Sequence, residues 1–179
     1  NSQLLSDVTK YDVSITSIDY SGKTIAGFTR IEFTSPSQPI STLQLSLLSM
    51  NIDSIVHVTG TLLPYVYNDT NLSITLPAPV NLLDTDYVSV YYHGAPQTDP
   101  SNWGGFYFSG VYAFNLGVGF DSDPHCFGRA WFPCNDIFTD RSKYSFHITT
   151  PSNYKAFCNG ILNGVDSISA GTVRWNWEF

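Results

Sequence analysis

The chain has 179 residues, of which 42% are hydrophobic, 15% aromatic and only 13% charged, with a formal net charge of -7. That apolar share excludes a disordered chain, and the acidic balance repels phosphate, so nucleic acid is not expected as a partner. No apolar run approaches the roughly 18 residues of a membrane helix, so no membrane insertion is expected. Many Ser, Thr and aromatic residues against few Lys and Glu favour sheet over helix.

The expected organisation is a single β domain over 1–179, with a loose lead-in at 1–7 where no period is visible. Tyr11, Val13 and Ile15 alternate with polar residues, the Ser21-Gly22-Lys23 turn follows, and Ile31 and Phe33 then alternate with Arg30 and Glu32. This predicts an opening hairpin, with Gly27 marking a bulge in its second strand. Leu43, Leu45 and Leu47 give a third strand with one dry face. Residues 50–59 and 62–67 read as a paired stretch turning near Gly60, and His57 inside it reads as a hydrogen-bonded structural residue. Leu72, Ile74 and Leu76 alternate again, and residues 87–93 place Val88, Val90 and Tyr92 on one face. Pro96, Pro100, Gly104, Gly105 and Gly110 break the next segment into a loop passing into an aromatic strand around Phe106.

A polar loop, Asp121-Ser122-Asp123-Pro124-His125-Cys126, precedes the densest stretch, GRAWFPCNDIFTDRSKYSFHITTP at 128–151. There Arg129 lies among apolar neighbours and needs an acceptor, Asp136 or Asp140. Pro133 stops an extended run, a Cys134-Asn135-Asp136 turn follows, and Tyr144, Phe146 and Ile148 alternate as a half-buried strand, so 128–151 is expected to be strand-loop-strand. Residues 154–158, the Asn159-Gly160 turn and the Val173, Trp175, Trp177 alternation complete an all-β, antiparallel fold. About a dozen short strands in saddle-like or sandwich sheets, with little helix, are expected. The chain starts without Met or a signal pattern, so any signal peptide is expected to have been removed, and it stops at Phe179 within an alternating run, so the natural chain is expected to continue.

Function is expected on the loop 121–126, a polar segment held between strands. Asp121, Asp123, His125 and Cys126 are competent ligands, yet their spacing fits neither a closed zinc set nor an oxygen-rich cation loop, so no metal site is expected. Neither a nucleophile elbow nor a helix start lies near Cys134 to activate its thiol, so it reads as a small buried apolar residue. Cys126, Cys134 and Cys158 allow at most one internal disulfide and leave the pairing open. Trp103, Phe106, Tyr107, Trp175 and Trp177 are the residues from which a sugar-stacking platform would be built, and a carbohydrate-binding or structural β-sandwich module is the alternative reading.

Arg129-x-Trp131-Phe132-Pro133-Cys134-Asn135-Asp136, followed by Asp140-Arg141 and the strand closing on Thr150-Pro151, resembles one domain in particular. It is similar to the N-terminal β domain of the aminopeptidase N family of zinc metallopeptidases, the gluzincin aminopeptidases, whose pattern there is approximately R-x-W/F-F-P-C-x-D-x-P-x-x-K. Tyr92-x-Gly94, Gly104-Gly105-Phe106-Tyr107 and Asn159-Gly160 extend the likeness over most of the chain, while Ile137-Phe138 and Arg141 depart from the pattern. The resemblance implies the non-catalytic N-terminal domain of an enzyme that removes N-terminal residues from peptides. Arg129, Trp131, Phe132, Pro133, Cys134 and Asp136 would be its structural motif. In the family a Gln or Glu a few residues before the motif arginine helps receive the substrate's α-amine. Here Asp123, with Asp121 and His125 beside it, is the expected substrate-binding group, Pro124 standing at the position counted without a gap. The family's H-E-x-x-H zinc motif is absent from this chain. The resemblance therefore implies no catalytic residue and no cofactor here, with zinc in a C-terminal catalytic domain that would be this domain's partner, alongside the peptide substrate. A secreted, periplasmic or cell-surface location is expected, with the cytoplasm left open.

Overall fold

The structure, a computed structural model, describes residues 5–179, so most of the expected lead-in at 1–7 lies outside the described residues. β1 (Asp7–Asp19) and β2 (Thr24–Thr34) form the expected hairpin. The Asp19 carboxylate closes its turn by accepting from the backbone N–H groups of Ser21 and Gly22, both at 2.9 Å. The predicted bulge lies on the other strand. Gly27 pairs with Ile15 and Ala26 with Ser17, which makes Thr16 of β1 the extra residue. Gly27 instead marks a close approach of backbones, since a Cβ there would lie 2.0 Å from the Ser14 carbonyl oxygen.

β3 (Ile40–Ser46), β4 (Asn51–His57), β5 (Tyr65–Tyr67), β6 (Asn71–Val80) and β7 (Thr85–Gly94) follow. The expected pairing of 50–59 with 62–67 reduces to one bridge, Val56 with Leu62. Leu63 then turns into the core and the Tyr67 hydroxyl donates to the Leu47 carbonyl at 3.1 Å, which carries β5 onto β6. β8 (Phe106–Ser109) and β9 (Tyr112–Asn115) form a separate hairpin, and β10 (Lys143–Pro151), β11 (Ile161–Ser169) and β12 (Thr172–Glu178) complete the set. Residues 154–158 are a loop rather than a strand, held by side chains: Tyr154 stacks on Tyr20 with ring centroids 5.1 Å apart, and Trp177 Nε1 donates to the Ala156 carbonyl at 3.2 Å.

One sheet has seven strands, ordered β11-β12-β10-β1-β2-β7-β4, and a second has three, ordered β3-β6-β5. Every pairing between these strands is antiparallel except β1 with β10, which run parallel. A single core joins the two sheets, with Tyr11, Val13 and Ile31 from the larger and Leu43, Leu72 and Ile74 from the smaller all but fully buried. Burial of each such side chain stabilises the fold by roughly 1.5–3 kcal/mol. A register slip of one residue would turn the whole set to water, which is why the alternation fixes the pairing.

The first limb of 128–151 is not a strand. Gly128–Ala130 is a single 3-10 turn, and irregular chain continues from it to β10. Its backbone groups are spent on separate neighbours instead of on one ladder. Ser46 and Cys134 exchange both bonds at 2.8 and 3.0 Å, Leu48 N donates to Arg129 O at 2.8 Å, Gln97 N to Ala130 O at 2.9 Å, and Asn135 N to the Tyr11 hydroxyl at 2.8 Å. The segment thus ties together the end of β3, the chain after β7 and the centre of β1. Among the described residues no helix is long and apolar enough to cross a membrane.

Candidate functional site

Arg129 and Asp136 are both buried, at 7% and 8% exposure, so neither charge is tolerable without the other. Arg129 Nη1 donates to Asp136 Oδ2 at 2.6 Å and to the Cys126 carbonyl at 3.0 Å, while Nη2 donates to the Pro124 carbonyl at 3.3 Å. The free side of the carboxylate accepts from the backbone N–H of Gly128 at 3.1 Å. The guanidinium also lies over the Phe127 ring, 5.1 Å from its centroid. Arg129 is therefore an internal clamp that fixes the base of the 121–126 loop. Trp131, Phe132, Pro133 and Cys134 are buried around it, with Trp131 and Phe132 in edge contact at 4.8 Å.

Asp121, Asp123 and His125 sit exposed on the loop above this clamp. Val118 and Cys126 bridge its ends, Gly119 N donates to His125 O at 2.8 Å, and His125 Nδ1 donates back to Gly119 O at 3.0 Å. The group that shapes the loop is one that sequence reasoning missed. Asp99, 1% exposed, accepts from the backbone N–H of Phe120 and of Asp121, each at 3.1 Å, and from Ser122 Oγ at 2.5 Å. Ser101 donates to the same carboxylate from both its hydroxyl and its N–H. Burial works to raise the Asp99 carboxyl, but the Ser101 and Ser122 hydroxyls and the backbone donors outweigh it and hold the group well below the usual carboxylate range. The available signal was Asp99-Pro100-Ser101, an Asp able to cap a turn through a residue two positions on.

Asp123 and Ser122 face Gln97, Asp69 and Arg129 across an open groove of about 470 Å³. A second hollow, of about 250 Å³, lies on the other side of the motif, where Trp131, Phe132, Tyr144 and Phe146 meet Asn135 and Asp140. Burial and the neighbouring Asp7 carboxylate push the Asp140 carboxyl up to about 6, opposed in part by the Asn135 amide. Asp140 is thus not a partner of Arg129.

The three cysteines are all free thiols. Burial, with the Asp136 carboxylate adding to it, pushes Cys126 up to about 11, and the wholly buried Cys134 lies well above its ordinary value for the same reasons. Raised in this way, both favour the protonated thiol, in keeping with Cys134 as a small buried residue. His57 is held by Asp86 at 2.8 Å and Thr59 at 2.8 Å, His93 by Asp53 at 2.7 Å, and His147 by Asn176 at 2.7 Å. Among the described residues no three His, Cys, Asp or Glu come together as a metal site. The aromatic platform is not assembled either. Phe106 is buried, Trp103 is exposed on the loop before β8, and Trp175 and Trp177 lie on β12 with their indole N–H groups donating to Thr150 and Ala156.

The sequence matches no family model and no curated protein. The fold does have counterparts. The M1 zinc metallopeptidase of Deinococcus radiodurans superposes with a TM-score of 0.84 at 20% identity, over 98% of this chain and 39% of its own. The fold is that of one part of an M1 zinc metallopeptidase. A mutant of that enzyme bound to Tyr-Ser-Ala substrate gives a TM-score of 0.83 at 22% identity, and a two-domain M1 zinc metallopeptidase mutant bound to L-arginine gives 0.84 at 21%, both with 98% of this chain and 39% of theirs covered. The chain spans about two-fifths of the length of these structures. The fold that the Arg129 to Asp136 motif led us to expect is the one observed.

Proposed function

We propose that residues 1–179 are the non-catalytic N-terminal domain of a zinc aminopeptidase that removes N-terminal residues from peptides. On this reading the domain packs against a C-terminal catalytic domain and lends one loop to the substrate cleft. The observation that carries it is the near-complete overlap of this chain with only 39% of zinc metallopeptidase chains, one of them solved with a tripeptide substrate. A second observation supports it. Trp103, Tyr112, Phe114, Leu116, Val118 and Phe120 are all exposed on the β8–β9 hairpin and the loops flanking it, where apolar surface is costly unless a partner covers it.

The residues present do not suit a zinc ion, for no ligand cluster forms among the described residues and the sequence has no H-E-x-x-H. Zinc belongs to the other domain in this account. The part left to this chain is to hold the substrate's ammonium group with the exposed Asp123 carboxylate, on a loop whose shape Asp99 and Arg129 fix. The test is hydrolysis by the whole protein of an aminoacyl p-nitroanilide and of its N-acetylated analogue. Cleavage of the free amine only, abolished by a chelator, is expected. Equal cleavage of both, or turnover indifferent to chelation, would contradict the proposal.

A further inference from the structure

Among the described residues four buried side-chain nitrogen or oxygen atoms make no hydrogen bond of good geometry, and three of them, Trp131 Nε1, Asn135 Nδ2 and Asp140 Oδ2, belong to residues lining the 250 Å³ hollow, where the Asn135 amide lies close enough to Asp140 to act on its carboxyl but is not aligned to satisfy it. Trp131 is only 7% exposed, so water reaches it poorly from outside. Orphaned groups of this kind are costly and uncommon in a folded protein, and three around one space call for an occupant. The aromatic walls of Phe132, Tyr144 and Phe146 suit apolar atoms, which water alone would leave without apolar partners. The unmet groups are two donors and one carboxylate oxygen. A peptide backbone offers the complement, a carbonyl acceptor and an N–H donor at each residue.

The path of the chain indicates which peptide. β12 runs antiparallel to β10, with Trp177 opposite Phe146 and Glu178 opposite Ser145. Phe179 then exchanges both backbone bonds with Tyr144 at 2.8 Å and itself lines the hollow, the residue being 68% exposed. A residue following Phe179 would leave the sheet at the mouth of this space.

We propose that the segment following Phe179 in the whole protein enters this hollow in extended form, placing an apolar side chain against Trp131 and Phe146. Its carbonyl oxygens accept from Trp131 Nε1 and Asn135 Nδ2, and one of its N–H groups donates to Asp140. The hollow is then the seat of the connection between the two domains. This rests on the reading that residues 1–179 are part of a longer enzyme.

A crystal structure of the whole protein, at a resolution that places water, tests it. Atoms of the segment after Phe179 in contact with Trp131 and Phe146, and bonded to Asn135 and Asp140, are expected. A hollow holding ordered water alone, a bound small molecule in its place, or a segment that leaves along another path overturns the proposal. The two readings fail separately: a downstream sequence without H-E-x-x-H removes the aminopeptidase function and leaves the occupancy result to stand or fall by itself.

Discussion

Arg129 and Asp136 form a 2.6 Å ion pair that is buried and surrounded by backbone donors and acceptors. Removing one member strands the other. Arg129→Ala is expected to cost about 3 kcal/mol of unfolding free energy, and adding Asp136→Ala should cost much less than a second such loss, because the orphaned charge goes with it. Urea denaturation of the two variants measures this, and an unchanged midpoint for Arg129→Ala would remove the clamp. Asp140 gives the opposite lesson. Its carboxyl titrates near 6 in the folded chain against about 3.9 when unfolded. Below about pH 4 it is protonated in both states, and from there to about 6 the unfolded chain releases its proton first, so stability falls as pH rises. Asp140→Asn in residues 1–179 should flatten that fall and add about 1 kcal/mol at neutral pH, a figure discounted for the partial exposure of the group. A variant as pH-sensitive as the wild type between 4 and 6 would contradict the assignment. Asp99, with its carboxyl depressed, contributes in the other sense, losing its share of stability only as the pH falls below about 4.

At the scale of elements, the strands that alternation could reveal are those with one face against the core. Tyr11, Val13 and Ile15, or Leu72, Ile74 and Leu76, announce themselves because every second residue is buried. Sequence does not announce which strands become neighbours across a long separation, so the parallel pairing of β1 with β10 was not foreseen. Nor does local pattern show when side-chain anchoring wins over a ladder. Residues 154–158 are held by Tyr20 and Trp177 rather than by a strand, and the Arg129 segment spends its backbone on several neighbours. The 121–126 loop was recognisable as a polar loop, but its anchor was hidden, because Asp99 lies more than twenty residues away in a stretch that reads as turn punctuation. Asp99→Ala should release the loop. Amide exchange at Phe120 and Asp121 is expected to accelerate at least tenfold while the amides of β1 keep their protection, and unchanged exchange at both positions would show that the loop holds itself. Asp123 tests the loop's proposed task. In the whole enzyme Asp123→Asn should raise KM several-fold with little change in kcat, since a contact to the substrate amine is made in both the ground and transition states. Identical kinetics would leave Asp123 as a solvated turn residue.

For the whole molecule, one core is shared by two sheets and joined by the buried aromatic residues around Arg129. Among the molecule's exposed apolar side chains is a group along the β8–β9 hairpin, and apolar side chains also line the hollow beside Phe179. Both features support the proposed packing against a second domain. The motif around Arg129 holds the segment where several parts of the fold meet, and the fold it pointed to is shared with structures at 20–22% identity. The division of labour between domains is the central claim, and zinc content measured in parallel with turnover tests it most directly. The whole protein should bind one zinc per chain and hydrolyse an aminoacyl chromogenic substrate, whereas residues 1–179 alone should do neither. Stoichiometric zinc on residues 1–179, or a whole protein that neither binds zinc nor turns over, would contradict it.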